Sequence, residues 1–139
     1  MFDINKETIN VIMIKNFLII SCTNKNDSIG LKINNNFFIK KIQTNIQNYD
    51  KFVNFILAFL KEHNTEINKN FSIIVNLGPG SFSSIRVSLA VAKGMQISKK
   101  MDLYGYKDHD LTKFDLNNIE LLIKTKLLEN KLIKPVYLS

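Results

Sequence analysis

Few residues in this chain have the types and spacing that chemistry needs, and the clearest group is Gly78-Pro79-Gly80-Ser81. It follows the apolar run Phe71-Ser72-Ile73-Ile74-Val75 and precedes a helical pattern from about Phe82 to Lys99, so it reads as a strand-to-helix elbow. Gly78 and Gly80 permit backbone angles and close approaches closed to other residues, Pro79 stiffens the turn, and the Ser81 hydroxyl is expected to cap the helix. Helix N–H groups and the helix dipole at such an elbow can hold an anion. The Gly-Lys-Ser/Thr ending of a Walker loop is absent, however, and Ser83 stands where the dinucleotide fingerprint needs its last glycine. The bare loop therefore reads first as a structural turn and second as an anion cradle.

Other candidates for chemistry are weaker. Ser81 has no GxSxG context and no evident histidine base, which makes a degenerate hydrolase the poorest of the readings. His63 and His109 lie in unrelated segments without a second ligand at metal spacing, so both read as surface or helix-end residues and no metal site is expected. Asp108 and Asp110 read as helix-capping or solvated loop acids. Cys22 is the only cysteine, which excludes an internal disulfide or a Cys-rich zinc site and suits a small buried hydrophobe. Among 19 basic residues only Arg86 is an arginine. In so lysine-rich a chain an isolated guanidinium suggests a need for its fork of donors, on elbow carbonyls or on a partner's carboxylate.

The elements that must position these residues alternate between two periods. Phe17-Leu18-Ile19-Ile20 reads as a buried strand, Asp27 to Ile33 alternates as a half-buried strand, Asn34-Asn35-Asn36 supplies a turn, and Phe37 to Ile42 resumes a strand. From about Gln47 to His63 the spacing is helical, with Phe52, Phe55, Ile56, Phe59 and Leu60 on one side. Val53 and Leu57 widen the apolar arc to roughly 200°, against an ordinary stripe of ~100° upwards. Such a helix has two things to cover, a sheet and a partner, unless the chain simply has a Phe-rich core. The helix after the elbow places Ile85, Leu89, Ala92 and Gln96 on one face and carries the small residues Ser88, Ala90, Ala92, Gly94 and Ser98. Leu103 to Tyr106 then reads as a strand completing a βαβ unit, and Asn117 to Asn130 as a last helix before an extended tail at Pro135-Val136-Tyr137-Leu138.

At 139 residues, 45% hydrophobic and 22% charged, the chain has the make-up of one globular domain rather than of a multidomain enzyme or a disordered segment. The net charge of +7 is an Asn, Ile and Lys bias that an AT-rich genome would produce, and is weak support for a nucleic-acid partner. No apolar stretch approaches the ~20 residues of a membrane span and the acidic start Met1-Phe2-Asp3 does not suit a signal peptide, so a cytoplasmic location without membrane contact is expected.

The longer string Gly78-Pro79-Gly80-Ser81-Phe82-Ser83-Ser84-Ile85-Arg86-Val87-Ser88-Leu89-Ala90-Val91-Ala92-Lys93-Gly94 is far more specific than its loop. It resembles the hallmark GPGSFTGLRIGLATAKGL of the TsaB (YeaZ) family, with Ser83 for Thr and Ser84 and Ser88 for Gly. Tyr104-Gly105-Tyr106 falls where that family has its next strand, and Pro135-Val136-Tyr137-Leu138 resembles its closing PxYLR, with Ser139 for Arg. The resemblance implies an α/β actin-like ATPase (ASKHA, ribonuclease H-like) single subdomain with a mixed sheet of about five strands, the second subdomain being largely missing. The expected division is an extension over 1–15, a TsaB-like N-terminal subdomain over 16–116 and a truncated C-terminal helix and tail over 117–139.

The resemblance also implies a function. TsaB proteins are non-catalytic partners of TsaD, the subunit that transfers a threonylcarbamoyl group to adenosine 37 of tRNAs reading codons that begin with A. The family's helices pack on TsaD, which places Phe52, Phe55, Ile56, Leu57, Phe59, Arg86, Ala90 and Lys93 at the expected interface and Gly78, Pro79, Gly80, Ser81 and Phe82 in the motif loop. The family's DTST turn falls on Ser21-Cys22-Thr23-Asn24, so Ser21 replaces the acid that ASKHA enzymes use near phosphate and metal, and no catalytic residue and no cofactor is expected. A TsaE-type ATPase in a larger complex, tRNA contact only through the complex, and a homodimer in isolation complete the implied partners. The competing reading is a small nucleotide- or anion-binding module using Gly78 to Ser81.

Overall fold

The computed structural model describes residues 14–42 and 48–130. Residues 1–13 of the expected N-terminal extension, Gln47 at the proposed start of the helix, and the tail at Pro135-Val136-Tyr137-Leu138 lie outside them. Three strands open the fold: β1 (Asn16–Ser21), β2 (Ser28–Ile33) and β3 (Asn36–Lys41). Asn34 and Asn35 both take positive φ, 50° and 70°, which is the backbone of the tight turn whose twist suits a two-stranded hairpin. Helix α1 (Tyr49–Glu62) follows, with the Asn48 side chain accepting from the Lys51 N–H to cap it, then β4 (Phe71–Asn76) and helix α2 (Phe82–Lys99). Strand β5 (Asp102–Tyr106), a short 3-10 turn (Asp108–Asp110) and helix α3 (Leu116–Lys124) complete the described chain.

The strands form one mixed sheet in the order β3-β2-β1-β4-β5. β1 pairs antiparallel with β2 and parallel with β4, and β4 pairs parallel with β5. This is the five-stranded mixed sheet expected from the residues, a meander joined to a βαβ unit.

Both faces of the sheet are covered, which explains why Phe17 to Ile20 of β1 and Ile73 to Val75 of β4 are apolar on successive positions rather than alternating with polar ones. Leu18, Ile20, Ile73, Val75 and Leu103 pack under α1 and α2. Phe17, Ile19, Ile74, Tyr104 and Tyr106 pack under Ile119, Leu122 and Ile123 of α3. Two expectations need correction for this reason. β2 is not half-buried, since Ser28 and Gly30 are enclosed along with Ile29 and Leu31. The last helix stops at Lys124 instead of running to Asn130, and it begins at an Asp115 cap that accepts from the Asn118 N–H at 2.9 Å. Beyond it Glu129 makes an antiparallel bridge to Gly105, which takes the chain back to the edge of β5. Among the described residues no helix is long and apolar enough to cross a membrane.

Within α1 the apolar arc is divided by depth. Phe52, Ile56 and Phe59 are buried against the sheet, whereas Leu57 is 55% exposed. Phe59→Ala is expected to cost roughly 3–5 kcal/mol because it leaves a cavity in a packed core. Leu57→Ala is expected to stay within about 0.5 kcal/mol, as for other surface changes. Urea unfolding of the two variants checks the division.

Candidate functional site

The carboxyl ends of β1, β4 and β5 meet beside the glycine elbow, and a set of short polar contacts ties them together. Asn76, the last residue of β4 and 1% exposed, donates from its amide to Ser21 Oγ at 3.0 Å and to Asp108 Oδ1 at 2.9 Å. Its carbonyl oxygen accepts from the Gly78 N–H at 2.8 Å. The amide thus spends both hydrogens and its oxygen on three separate segments. The Gly78 carbonyl accepts in turn from the Asp108 N–H, and the Leu77 N–H donates to the Tyr106 carbonyl, both at 2.8 Å. Asp108 is accordingly neither the helix-capping residue nor the solvated loop acid expected from its position, since its side chain accepts from Asn76 and caps no helix. Its partner, Asn76, carries no distinctive signal in the sequence, because a strand-ending Asn also reads as a plain turn residue.

The elbow itself is held by close approach. Gly78 has φ 94°, in the region that favours glycine, and precedes Pro79 through a cis peptide bond. Gly80 needs no unusual angle, but a Cβ there would lie 2.6 Å from the Thr23 Cβ and 2.9 Å from its Cα. The Ser81 N–H donates to the Thr23 carbonyl at 3.1 Å, so the β1 turn and the elbow are clamped face to face. Ser81 does not cap α2 through its hydroxyl as expected; its backbone carbonyl accepts from Ile85 instead.

This arrangement has direct consequences for anion binding. In the turn after β1, Asp27 Oδ1 accepts from the N–H groups of Thr23, Asn24 and Lys25 at 3.0, 2.9 and 3.1 Å. The chain's own carboxylate therefore fills the concavity of N–H groups that a phosphate would use. Burial pushes the Asp27 carboxyl up against the lowering effect of those three donors. Two N–H groups of the elbow, those of Gly78 and Ser81, are also engaged internally. Cys22 is fully enclosed, with burial first and Asp27 second raising its thiol well above the ordinary range, as suits a packing residue. The fully buried Tyr106 hydroxyl faces Ser21 and Asn76 yet has no hydrogen bond of ordinary geometry among the described residues, and burial holds it protonated. Of the histidines, His63 stacks on Phe38 with centroids 3.9 Å apart, and His109 is exposed beside Asp110. Among the described residues no cluster of His, Cys, Asp and Glu could hold a metal ion.

The expected interface residues separate into four groups. Phe52 and Phe59 belong to the core under α1. Phe55 is half-buried below the Lys40 ammonium, which lies 5.6 Å from its ring, and so points away from α2. Ile56 and Leu57 line a groove of ≈ 910 Å³ between α1 and α2, together with Tyr49, Val53, Met95 and Ser98. Arg86, Ala90 and Lys93 are exposed on α2. Arg86 places its guanidinium 5.5 Å from the Phe82 ring centre and, among the described residues, makes no bond to the elbow carbonyls. The small residues of α2 are likewise split: Ser84, Ser88 and Ala92 are packed on the sheet, Gly94 and Ser98 line the groove, and Ala90 faces outward.

Removing the tie or the close approach tests this account. Asn76→Ala strands buried donors and acceptors and is expected to cost about 1–3 kcal/mol. Gly80→Ala forces the elbow from Thr23 and is expected to cost about 1–3 kcal/mol by overpacking. Thermal unfolding measures both, and a neutral Gly80→Ala would show that the two turns are not clamped.

No family model matches the sequence, and no curated protein matches it. Among solved structures the chain is similar to YeaZ from Pseudomonas aeruginosa, with TM-score 0.61 and 15% identity over 70% of this chain and 46% of that one. It is similar as well to a second structure, described as an uncharacterized protein with similarity to peptidase YeaZ from Pseudomonas aeruginosa, at TM-score 0.61 and 15% identity over 70% and 45%. The chain thus spans less than half the length of either structure. With its mixed five-stranded sheet, this is a YeaZ-like α/β fold.

Proposed function

We propose that this chain is a non-catalytic subunit of the TsaB type, which binds and activates a TsaD-type transferase in forming N6-threonylcarbamoyladenosine at position 37 of tRNAs reading codons that begin with A. The observation that carries the reading is the apolar surface along α1 and α2, where Leu57 is 55% and Tyr49 46% exposed at the rim of the groove. A YeaZ-like fold and the string from Gly78 to Gly94 support the same assignment. In this reading Leu57 is the central anchor, Ile56 floors the groove, and Arg86, Ala90 and Lys93 extend the contact along α2, with Phe52 and Phe59 supporting it from the core. Buried apolar anchors ringed by polar groups are what hold such interfaces. Contact with tRNA and with a TsaE-type ATPase runs through the complex.

The alternative of a nucleotide- or anion-binding module has less support, because Asp27 and the internal hydrogen bonds of Gly78 and Ser81 occupy N–H groups it would need. The Ser21 hydroxyl is engaged by Asn76, and Ser21 supplies no carboxylate for phosphoryl chemistry.

Leu57→Glu is expected to keep the circular dichroism of the parent while losing at least about tenfold in affinity for the TsaD-type subunit. Pull-down and calorimetry measure the loss, and mass spectrometry of tRNA nucleosides after depletion measures its consequence. Unchanged binding by a folded Leu57→Glu protein, or unchanged threonylcarbamoyladenosine on depletion, overturns the assignment. The purified chain is also expected to turn over neither ATP nor peptide by itself. Steady turnover abolished by Thr23→Ala or Ser81→Ala would contradict the non-catalytic reading.

A further inference from the structure

The two edges of the sheet are finished differently. At β5 the chain returns on itself, and the Gly105 N–H and carbonyl are both taken by Glu129, at 2.7 and 2.8 Å. At β3 no further strand follows among the described residues, so one side of its main chain is unpaired there. The hairpin fixes which groups that side carries. A turn of Asn34 and Asn35 makes Ile33 and Asn36 a hydrogen-bonded pair, and antiparallel alternation then aims the N–H and C=O groups of Asn36, Phe38 and Lys40 at β2. The Ile42 N–H, which donates to the Asp27 carbonyl at 2.9 Å, keeps that alternation. Phe37, Ile39 and Lys41 therefore point their main-chain groups outward, and the Ile39 side chain is 46% exposed beside them.

We propose that two copies of this chain join by antiparallel pairing of their β3 strands about a twofold axis at Ile39, which makes one continuous sheet of the two. Lysines on an edge strand ordinarily oppose such pairing. The order Phe37-Phe38-Ile39-Lys40-Lys41 is self-complementary, however. In this register Phe37 lies opposite Lys41 on the α3 side of the sheet, Phe38 lies opposite Lys40 on the α1 side, and Ile39 meets its own copy across the axis. Each ammonium thus faces an aromatic ring instead of a second ammonium, a neighbour that Lys40 already has in Phe55 of its own chain. Every outward main-chain group of Phe37, Ile39 and Lys41 is paired. Sliding one copy by two residues either sets Lys40 against Lys40 or takes Lys41 off the end of the opposite strand, so the strand selects the register as well as the occupant. The groove between α1 and α2 contains no residue of β3, and the inference does not depend on the docking reading above.

The test follows the whole chain by sedimentation and by disulfide capture. The parent is expected to form a dimer whose population rises with concentration up to about 100 μM. Ile39→Lys sets two ammonium groups against each other across the axis, and is expected to raise the dimer dissociation constant at least about tenfold without changing the circular dichroism spectrum. Ile39→Cys reads the register itself. Its thiol meets that of the second copy with Cα atoms about 5.5 Å apart, within reach of a disulfide, while Cys22 is buried and takes no part. Under diamide Ile39→Cys is expected to be captured as a covalent dimer at least about tenfold faster than Ile97→Cys, whose position on α2 is more exposed. No parent dimer across that concentration range overturns the proposal. Capture at Ile39→Cys no faster than at Ile97→Cys does the same. A dimer that Leu57→Glu dissociates and Ile39→Lys leaves intact is held by the helical faces, which overturns the edge pairing and leaves the docking reading standing.

Discussion

A single buried amide holds the working end of this fold in place. Asn76 joins the end of β1, the elbow before α2 and the turn after β5, and each of these would otherwise leave with its own strand. Parallel strands are not connected by a hairpin at that end, so their exits have to be tied by side chains. A buried amide with every hydrogen-bonding group satisfied supplies geometry that apolar packing cannot, because hydrogen bonds are directional and dispersion is not. The direction in which α2 leaves the sheet follows from that tie and from the contact of Gly80 with Thr23.

Once α2 is aimed, its surfaces acquire their roles. Ser84, Ser88 and Ala92 are small where the helix meets the sheet, which lets α2 lie close to β4 and β5. Seating α2 there leaves Val91, Gly94 and Met95 facing α1 across a groove and turns Arg86, Lys93 and Ile97 outward. The motif string therefore serves two purposes along its length: its glycines and serines shape the fold, and its exposed positions shape a surface.

The same economy governs the polar turn after β1. Three N–H groups converge there, and a concavity of that kind attracts negative charge. In this chain the charge comes from Asp27, three residues or so further along, which stabilises the turn at the partial cost of burying a carboxylate. A site that can hold an anion is thus converted into a structural element, and the surface left with unmatched character is the helical face.

Much of the architecture was legible from residue order alone. Period two in Ile29, Leu31 and Ile33, helical spacing from Phe52 to Leu60, paired asparagines for a hairpin and the strand-elbow-helix string are local features, and local propensity and periodicity are written in neighbouring residues. The bounds of α2 and the parallel βαβ unit agree with that reading, and the YeaZ-like fold agrees with the resemblance carried by the Gly78 to Gly94 string. What sequence order does not contain is which distant groups meet. That α3 would cover the second face and enclose Ser28 and Gly30, that Phe55 would face β3 and Leu57 the groove, and that Asn76 would bind Ser21 and Asp108 depended on tertiary structure. A wide apolar arc states how much surface a helix must bury but not against what, and a polar side chain states what it can bond but not to whom. Those choices are made when the strands pair across long separations and the remaining groups settle against whatever the pairing brings near.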